Sequence, residues 1–482
     1  MNILIYIVII TISNLSVGLS AQTHVVTFIS PRTQSFNAER ILVGWENYIH
    51  QRQAQLYGIY AAVPQVTSSF RPERINQCLF GDSIIRDFNT TTEWNDYITI
   101  SGSQISERSS HDWLADNFGL PSDFKSITQY TPHVLNWVFD TQFFFGLNTI
   151  LPGLYLQCEL PLVYTHWDLN MRECILEPGH NNQFLHSFSE YVSGCIQDIS
   201  NMPFSPLLYA RMDPQPHTLI TFSELRATIG YDYFPTYFHY FGVGLQIAIP
   251  CGNRPKGELL FEPIVGNGHH FECGIELSAR FRTWTSETED AHTDLFFNAT
   301  VTHLFTTRQK RSFDIVNRPN SRYILAEQIT QPTSQEIPLV NLTTKNVHVS
   351  INAQADISFL YAYTKNRDTW SFGYSLWKRG CEKICLRDSF NFNNEWQLKD
   401  GTVFTSEDIA LHSAATSGFS QKIITHFNHA IATQSYNKPY IGLGAEVEFG
   451  RQAGPTPVIG SDVCINCALS QWGVWIKTGV VF

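Results

Sequence analysis

The sequence predicts an all-β protein, a transmembrane antiparallel β-barrel of about twelve strands. Three observations carry this. Charged residues are only 16% of 482, against roughly 25% in ordinary soluble domains, while aromatics reach 13%. The mean hydropathy is only −0.13, too low for a bundle of membrane helices. Apolar and polar residues alternate in blocks longer than ordinary globular strands. A barrel whose wall faces lipid on one side and a polar interior on the other has this combination.

The N-terminus reads as a signal peptide, residues 1–21. Ile3 to Ile12 is almost wholly apolar, and small residues follow, with cleavage expected after Ser20 or Ala21. No Lys or Arg precedes the apolar run. Residues 22–130 form an irregular N-terminal region, to be read as a plug or periplasmic segment that includes a first strand near 94–103. Residues 131–482 are expected to be the barrel.

Successive side chains of a strand point to opposite faces. One block sets Leu154, Leu156, Cys158, Leu160, Leu162 and Tyr164 against Tyr155, Gln157 and Glu159. A second sets Val347, Val349, Ile351, Ala353, Ala355, Ile357, Phe359 and Tyr361 against His348, Ser350, Asn352, Gln354, Asp356 and Ser358. A third sets Phe271, Cys273, Ile275, Leu277, Ala279 and Phe281 against Glu272, Gly274, Glu276, Ser278, Arg280 and Arg282. A tilted strand crosses a bilayer in about 9–11 residues. The remaining strands are expected at 133–147, 218–231, 237–249, 293–306, 369–379, 422–433, 440–450 and 470–482. Connections alternate between short turns near Asn148, Asp232, Ser286, Lys365 and Asn437 and long loops such as 166–217 and 380–421. Short periplasmic turns and long external loops are the barrel pattern.

The closing strand places Trp472, Val474, Ile476, Thr478, Val480 and Phe482 on one face. It resembles the terminal strand of bacterial outer-membrane β-barrels, porin-like proteins in which a C-terminal aromatic after alternating apolar residues is read by the barrel-assembly machinery. The resemblance covers roughly residues 130–482 and assigns no specific family. It implies residence in the bacterial outer membrane. It also implies Trp472, Val480 and Phe482 as the assembly signal, and outer-membrane lipid and the assembly machinery as partners. A homo-oligomer is compatible with it.

A closed barrel creates a lumen lined by the polar faces. The residues expected to line a pore are Asp140, Glu159, Glu224, Arg226, Glu272, Glu276, Arg280, Arg282, Asp356, Glu446, Glu448 and Lys477. Acids outnumber bases, and carboxylate rings favour cations. The leading expectation is passive transport of small polar solutes with cation preference. The alternatives are a closed barrel whose external loops serve adhesion or protein binding, and a barrel-borne esterase or phospholipase. Phe80-Gly81-Asp82-Ser83 resembles the first block of the GDSL esterases, and Leu114 to Pro121 resembles a segment of the same enzymes. Their Gly-x-Asn-Asp and Asp-x-x-His blocks are absent, so no catalytic residue is assigned. His303 is an isolated histidine on the lipid face. The net charge of −11 argues against nucleic acid. No metal or cofactor is expected. The ten cysteines read as disulfides of an exported protein, with Cys174–Cys195 as one loop pairing.

Overall fold

A computed structural model describes residues 25–35, 42, 43, 45, 48–50, 56–85, 96–180, 185–196, 203–330, 335–392, 395–431, 438–450 and 464–482. The expected signal peptide at 1–21 lies outside the described residues. Among these residues, no helix is long and apolar enough to cross a membrane.

Twelve antiparallel strands close into a barrel. They are β1 (Tyr57–Phe70), β2 (His133–Gly146), β3 (Leu154–Asp168), β4 (His217–Phe222, continuing after Ser223 as Glu224–Tyr233), β5 (Tyr240–Pro250) and β6 (Glu272–Thr285). The others are β7 (Ala291–Arg311), β8 (Lys345–Lys365), β9 (Asp368–Arg379), β10 (Thr416–Ala430), β11 (Lys438–Gly450) and β12 (Ser470–Val481). Each pairs with its chain neighbour, and β1 with β12 closes the ring.

The first strand is the main correction. Tyr97–Ser101 is no barrel strand. It belongs to a small separate sheet with Trp113–Leu114, Lys125–Tyr130 and Met171–Glu177. The barrel begins instead at Tyr57. That strand hides from pattern reading because both its faces are apolar near Ala61 and Ala62 and because Pro64 interrupts it. Proline cannot donate to a ladder. The β1–β12 pairing accordingly skips from Ala62 to Gln65.

The outer wall carries the apolar set. Trp137, Phe139, Ile229, Leu245, Ile275, Leu277, Val301, Phe372, Leu443 and Val474 are among its exposed large side chains. A soluble protein rarely exposes an apolar surface beyond a few hundred Å². A belt running round a closed sheet is stable where lipid replaces water, and closure satisfies every ladder group.

Alternation conceals two reversals of face. On β8, Asn352 and Ala353 are both exposed, and below them Gln354, Asp356, Ser358 and Leu360 turn inward. Above them Val347, Val349 and Ile351 are the buried residues. The facing strand β7 shifts register between Thr302 and Leu304 and again before Thr307. A bulge adds a residue to one strand and so exchanges its faces. One apolar row therefore faces lipid below the bulge and a protein core above it.

The long loops build that upper core, here termed the cap. Small sheets and short helices surround Phe80, Phe118, Phe188, Tyr191, Phe204 and Tyr323. Burial pushes the phenols of Tyr191 and Tyr323 up, so both remain donors. Tyr191 Oη bonds to the Tyr323 carbonyl at 2.5 Å, and Tyr323 Oη to the Ala210 carbonyl at 2.8 Å. Arg322, fully buried, pairs with Asp314 at 2.6 Å. Burial works against its charge, but the Asp314 carboxylate outweighs it and holds the guanidinium above its ordinary range.

Candidate functional site: a barrel lumen filled from the N-terminus

Residues 25–35 run from the cap at the long-loop end to the inner wall of the barrel. Val26, Phe28 and Ile29 join the core of the cap together with Val134, Trp167 and Leu469 at the upper ends of their strands. Thr27 Oγ1 donates to the Ser312 carbonyl at 2.6 Å. Farther down the chain, Leu42, Val43, Trp45 and Ile49 pack at the short-turn end. Tyr57, Phe144, Tyr155, Phe296, Leu360, Ile424, Tyr440 and Trp475 surround them. The N-terminal segment thus has an apolar anchor at each mouth and a polar stretch between.

In that middle layer the segment is held by charge. Arg32 is buried, 2.6 Å from Asp356 and 3.1 Å from Glu448. Lys422 stands 3.4 Å from Glu446 and 3.9 Å from Glu448. Gln65 donates to Glu446 at 3.0 Å and Gln471 to Glu448 at 2.7 Å. On the opposite wall Glu224 accepts from Thr33 at 2.6 Å and also from Ser35. Arg226 donates to Ser35 at 3.0 Å, forks onto Glu272 at 3.1 and 3.2 Å, and lies 3.8 Å from Glu159. Arg379 donates to the hydroxyl and the carbonyl of Ser30, at 2.6 and 3.0 Å.

All twelve residues expected to line a pore belong to strands of this wall, and their side chains are tied within the interior. Glu224, Arg226, Glu159 and Glu272 meet in one network; Asp356, Glu446 and Glu448 meet around Arg32 and Lys422. Glu276 accepts from Thr228 and Asn298, each at 3.0 Å. Arg280 and Arg282 both reach Asp294 at 2.5 Å near the short turns. Asp140 accepts from Gln142 at 2.7 Å. Lys477 lies over the Trp45 ring, 4.1 Å from its centroid. Sequence reasoning missed Arg32, Thr33, Ser35 and Lys422. Nothing in the pattern marks the first three as luminal. Lys422 was visible as one more polar residue alternating with Ile423.

The lower lumen departs from a uniformly polar lining. Phe144, Phe296, Leu360 and Ile424 face inward, and their strands read as apolar on both faces there. His426 stacks on Trp475, with centroids 6.4 Å apart. A side chain on Gly442 would come within 2.4 Å of His426, and one on Gly444 within 2.3 Å of Trp475. Those two glycines make room for the rings.

The enzyme alternatives find little to use. Ser83 closes a single 3-10 turn after Gly81. The His303 ring Nδ1–H donates locally, to the Asn352 carbonyl at 2.8 Å, beside the β8 bulge. One serine–histidine contact does form, Ser68 Oγ to His133 Nε2 at 2.8 Å. Among the described residues no carboxylate bonds the other nitrogen of His133. Asp168, paired with His133 in the ladder, accepts from the Asn170 amide instead. A nucleophile–base pair without an orienting acid lacks the triad arrangement. Among the described residues no cluster could hold a metal ion.

The cysteine pairing also differs from expectation. Cys381 bonds to Cys464, while Cys174 and Cys195 are free thiols. Adjacent loops at the mouth, rather than turns within one loop, bring cysteines together.

The closed sheet and its lipid-type belt decide the class. This is a closed twelve-stranded antiparallel β-barrel of the membrane-spanning type. No protein-family model matches it, and no curated protein does. Among solved structures it is similar to an outer-membrane channel of Pseudomonas putida F1, at 9% identity and a TM-score of 0.37, over 90% of this chain and 98% of that one. A FadL homologue of Pseudomonas aeruginosa shares 6% identity at a TM-score of 0.30, over 94% of this chain and 98% of its own. The toluene transporter TodX of Pseudomonas putida shares 9% at 0.31, over 95% and 98%. Likeness at that level says nothing about what this barrel carries.

Proposed function

We propose that the barrel resides in a bacterial outer membrane and passes small polar solutes, cations preferentially, when its N-terminal segment leaves the lumen. The observation that carries this reading is Arg32. It is a cation delivered by the segment, not by the wall, and it sits between two wall carboxylates. With the segment in place the interior is filled, and Arg32 is shared by Asp356 and Glu448. With the segment displaced, the middle layer exposes Asp356, Glu446, Glu448, Glu224, Glu272 and Glu159 against Arg226, Lys422 and Arg379. A lining with excess carboxylate favours cations. Unlike a pore defined by wall residues alone, this one is shut at rest.

Single-channel recording in planar bilayers tests it. The intact protein should show rare, brief openings, and a variant lacking residues 25–50, and so both anchors, should conduct steadily with cation preference. A deletion variant that folds as a barrel and stays silent would refute the reading. A second reading, external binding, is favoured by the packed core of the cap, which gives the long loops one fixed surface. A folded, silent deletion variant would move the assignment there.

A further inference from the structure

The cap brings two pairs of cysteines together at one place. Cys464 is bonded to Cys381. Three residues later, Cys467 is buried in the same core cluster as Cys78. Cys78 Sγ also reaches the Asn466 carbonyl at 3.8 Å. The two positions are structurally fixed. Cys78 belongs to the helix Pro72–Phe80, and Cys467 follows Ile465–Asn466, which pairs in parallel with Thr416 and Ser417 of β10.

We propose that Cys78 and Cys467 form a second disulfide in the exported protein, a modification that fixes the mount of the luminal segment to the loop before β12. The carbonyl of Cys78 itself receives the Val26 amide at 2.9 Å, where the segment passes into the barrel. The Cys-x-x-Cys spacing at 464–467 therefore sends its two sulfurs to different partners. One goes to the loop after β9 and the other to the helix after β1, so three loops are stapled across the mouth. Both pairs occupy the same cap and so meet the same redox compartment, in which Cys381–Cys464 is oxidised.

The chemistry is exchange with an oxidised dithiol donor protein. One cysteine thiolate attacks a donor sulfur and breaks the donor disulfide, giving a mixed disulfide. The second thiolate then attacks the protein sulfur of that bond and releases the donor as its dithiol. The electron pair passes to the donor, and the two protons lost by Cys78 and Cys467 end on its thiols. Burial pushes the Cys467 thiol well up in the finished fold, which leaves it protonated and a poor nucleophile. Pairing therefore belongs to the folding stage, before the cap closes, and the finished bond is shielded from reductants. The covalent assignment stands apart from the channel reading. Only its role in holding the segment rests on that reading.

The test uses full-length protein recovered from the outer membrane of an exporting Gram-negative host. It is denatured without reductant, alkylated with N-ethylmaleimide, digested and mapped by mass spectrometry. The expected result is a peptide pair joined through Cys78 and Cys467, with neither residue alkylated. Alkylation of both, alongside an intact Cys381–Cys464 peptide, overturns the proposal, as does either one joined to a different cysteine. In Cys467→Ser, Cys78 should become alkylated while Cys381–Cys464 persists. Should that variant fail to accumulate, Cys78→Ala gives the mirror measurement on Cys467. No conductance enters this experiment, so a failed channel reading would leave its result unaffected.

Discussion

Replacing Arg32 with Ala should raise channel opening by about two orders of magnitude. The side chain is almost wholly buried and makes a 2.6 Å contact with Asp356 and a 3.1 Å contact with Glu448. Removing one member of a buried ion pair costs about 3–5 kcal/mol, because the remaining charges lose their compensation. Here the cost falls on the state with the segment inside, since water reaches Asp356 and Glu448 once it withdraws. Lys422, 3.9 Å from Glu448, offsets part of the loss, so the lower figure of about 3 kcal/mol applies. At about 1.4 kcal/mol per factor of ten, that is a little over a hundredfold in the ratio of open to closed. The assay is open probability in planar bilayers, with reversal potential in a salt gradient for selectivity. Arg32→Lys should recover much of the closure, because it restores the charge without the forked geometry. Unchanged opening in a folded Arg32→Ala barrel, checked by heat-modifiable gel mobility, would refute the idea that this ion pair holds the segment.

Arg226→Met should destabilise the barrel by about 3–5 kcal/mol, since it strips a shared cation from Glu272 and Glu159; urea titration of the heat-modifiable band measures it. Gly444→Val should cost about 1–3 kcal/mol by crowding Trp475, whose ring lies 2.3 Å from the position of the first added carbon, and the same titration reads it. The double variant Cys381→Ala/Cys464→Ala should lose up to about 4.5 kcal/mol under the loop-entropy account for a separation of 83 residues, seen as a lower unfolding temperature by circular dichroism. Phe482→Ala should slow assembly and weaken the seam, because it keeps the two backbone hydrogen bonds to Gly58 but loses the ring that covers that glycine. Pulse-chase conversion to the heat-modifiable form would register the delay, and a wild-type rate would count against Phe482 as the assembly signal.

The sequence alone determined the wall. Lipid selects one face of every strand and the interior the other, so period-two alternation survives as a direct record of the solvent on each side. That record located eleven of the strands and the alternation of short turns with long loops. It failed at β1, where Tyr57, Ile59, Ala61 and Val63 face an apolar floor and the outward face is apolar too, so no contrast remains. It also misread β8, because an unbroken alternation through Asn352 cannot show an inserted residue that exchanges the faces. The contents of the lumen were decided only by the tertiary structure. Arg32 has no local pattern, since its partners Asp356 and Glu448 lie 324 and 416 residues away. The same holds for Cys464 and Cys467, whose partners come from other loops. Local periodicity encodes which solvent a side chain faces, whereas contacts made across a closed ring depend on how twelve strands bring distant residues to the same height.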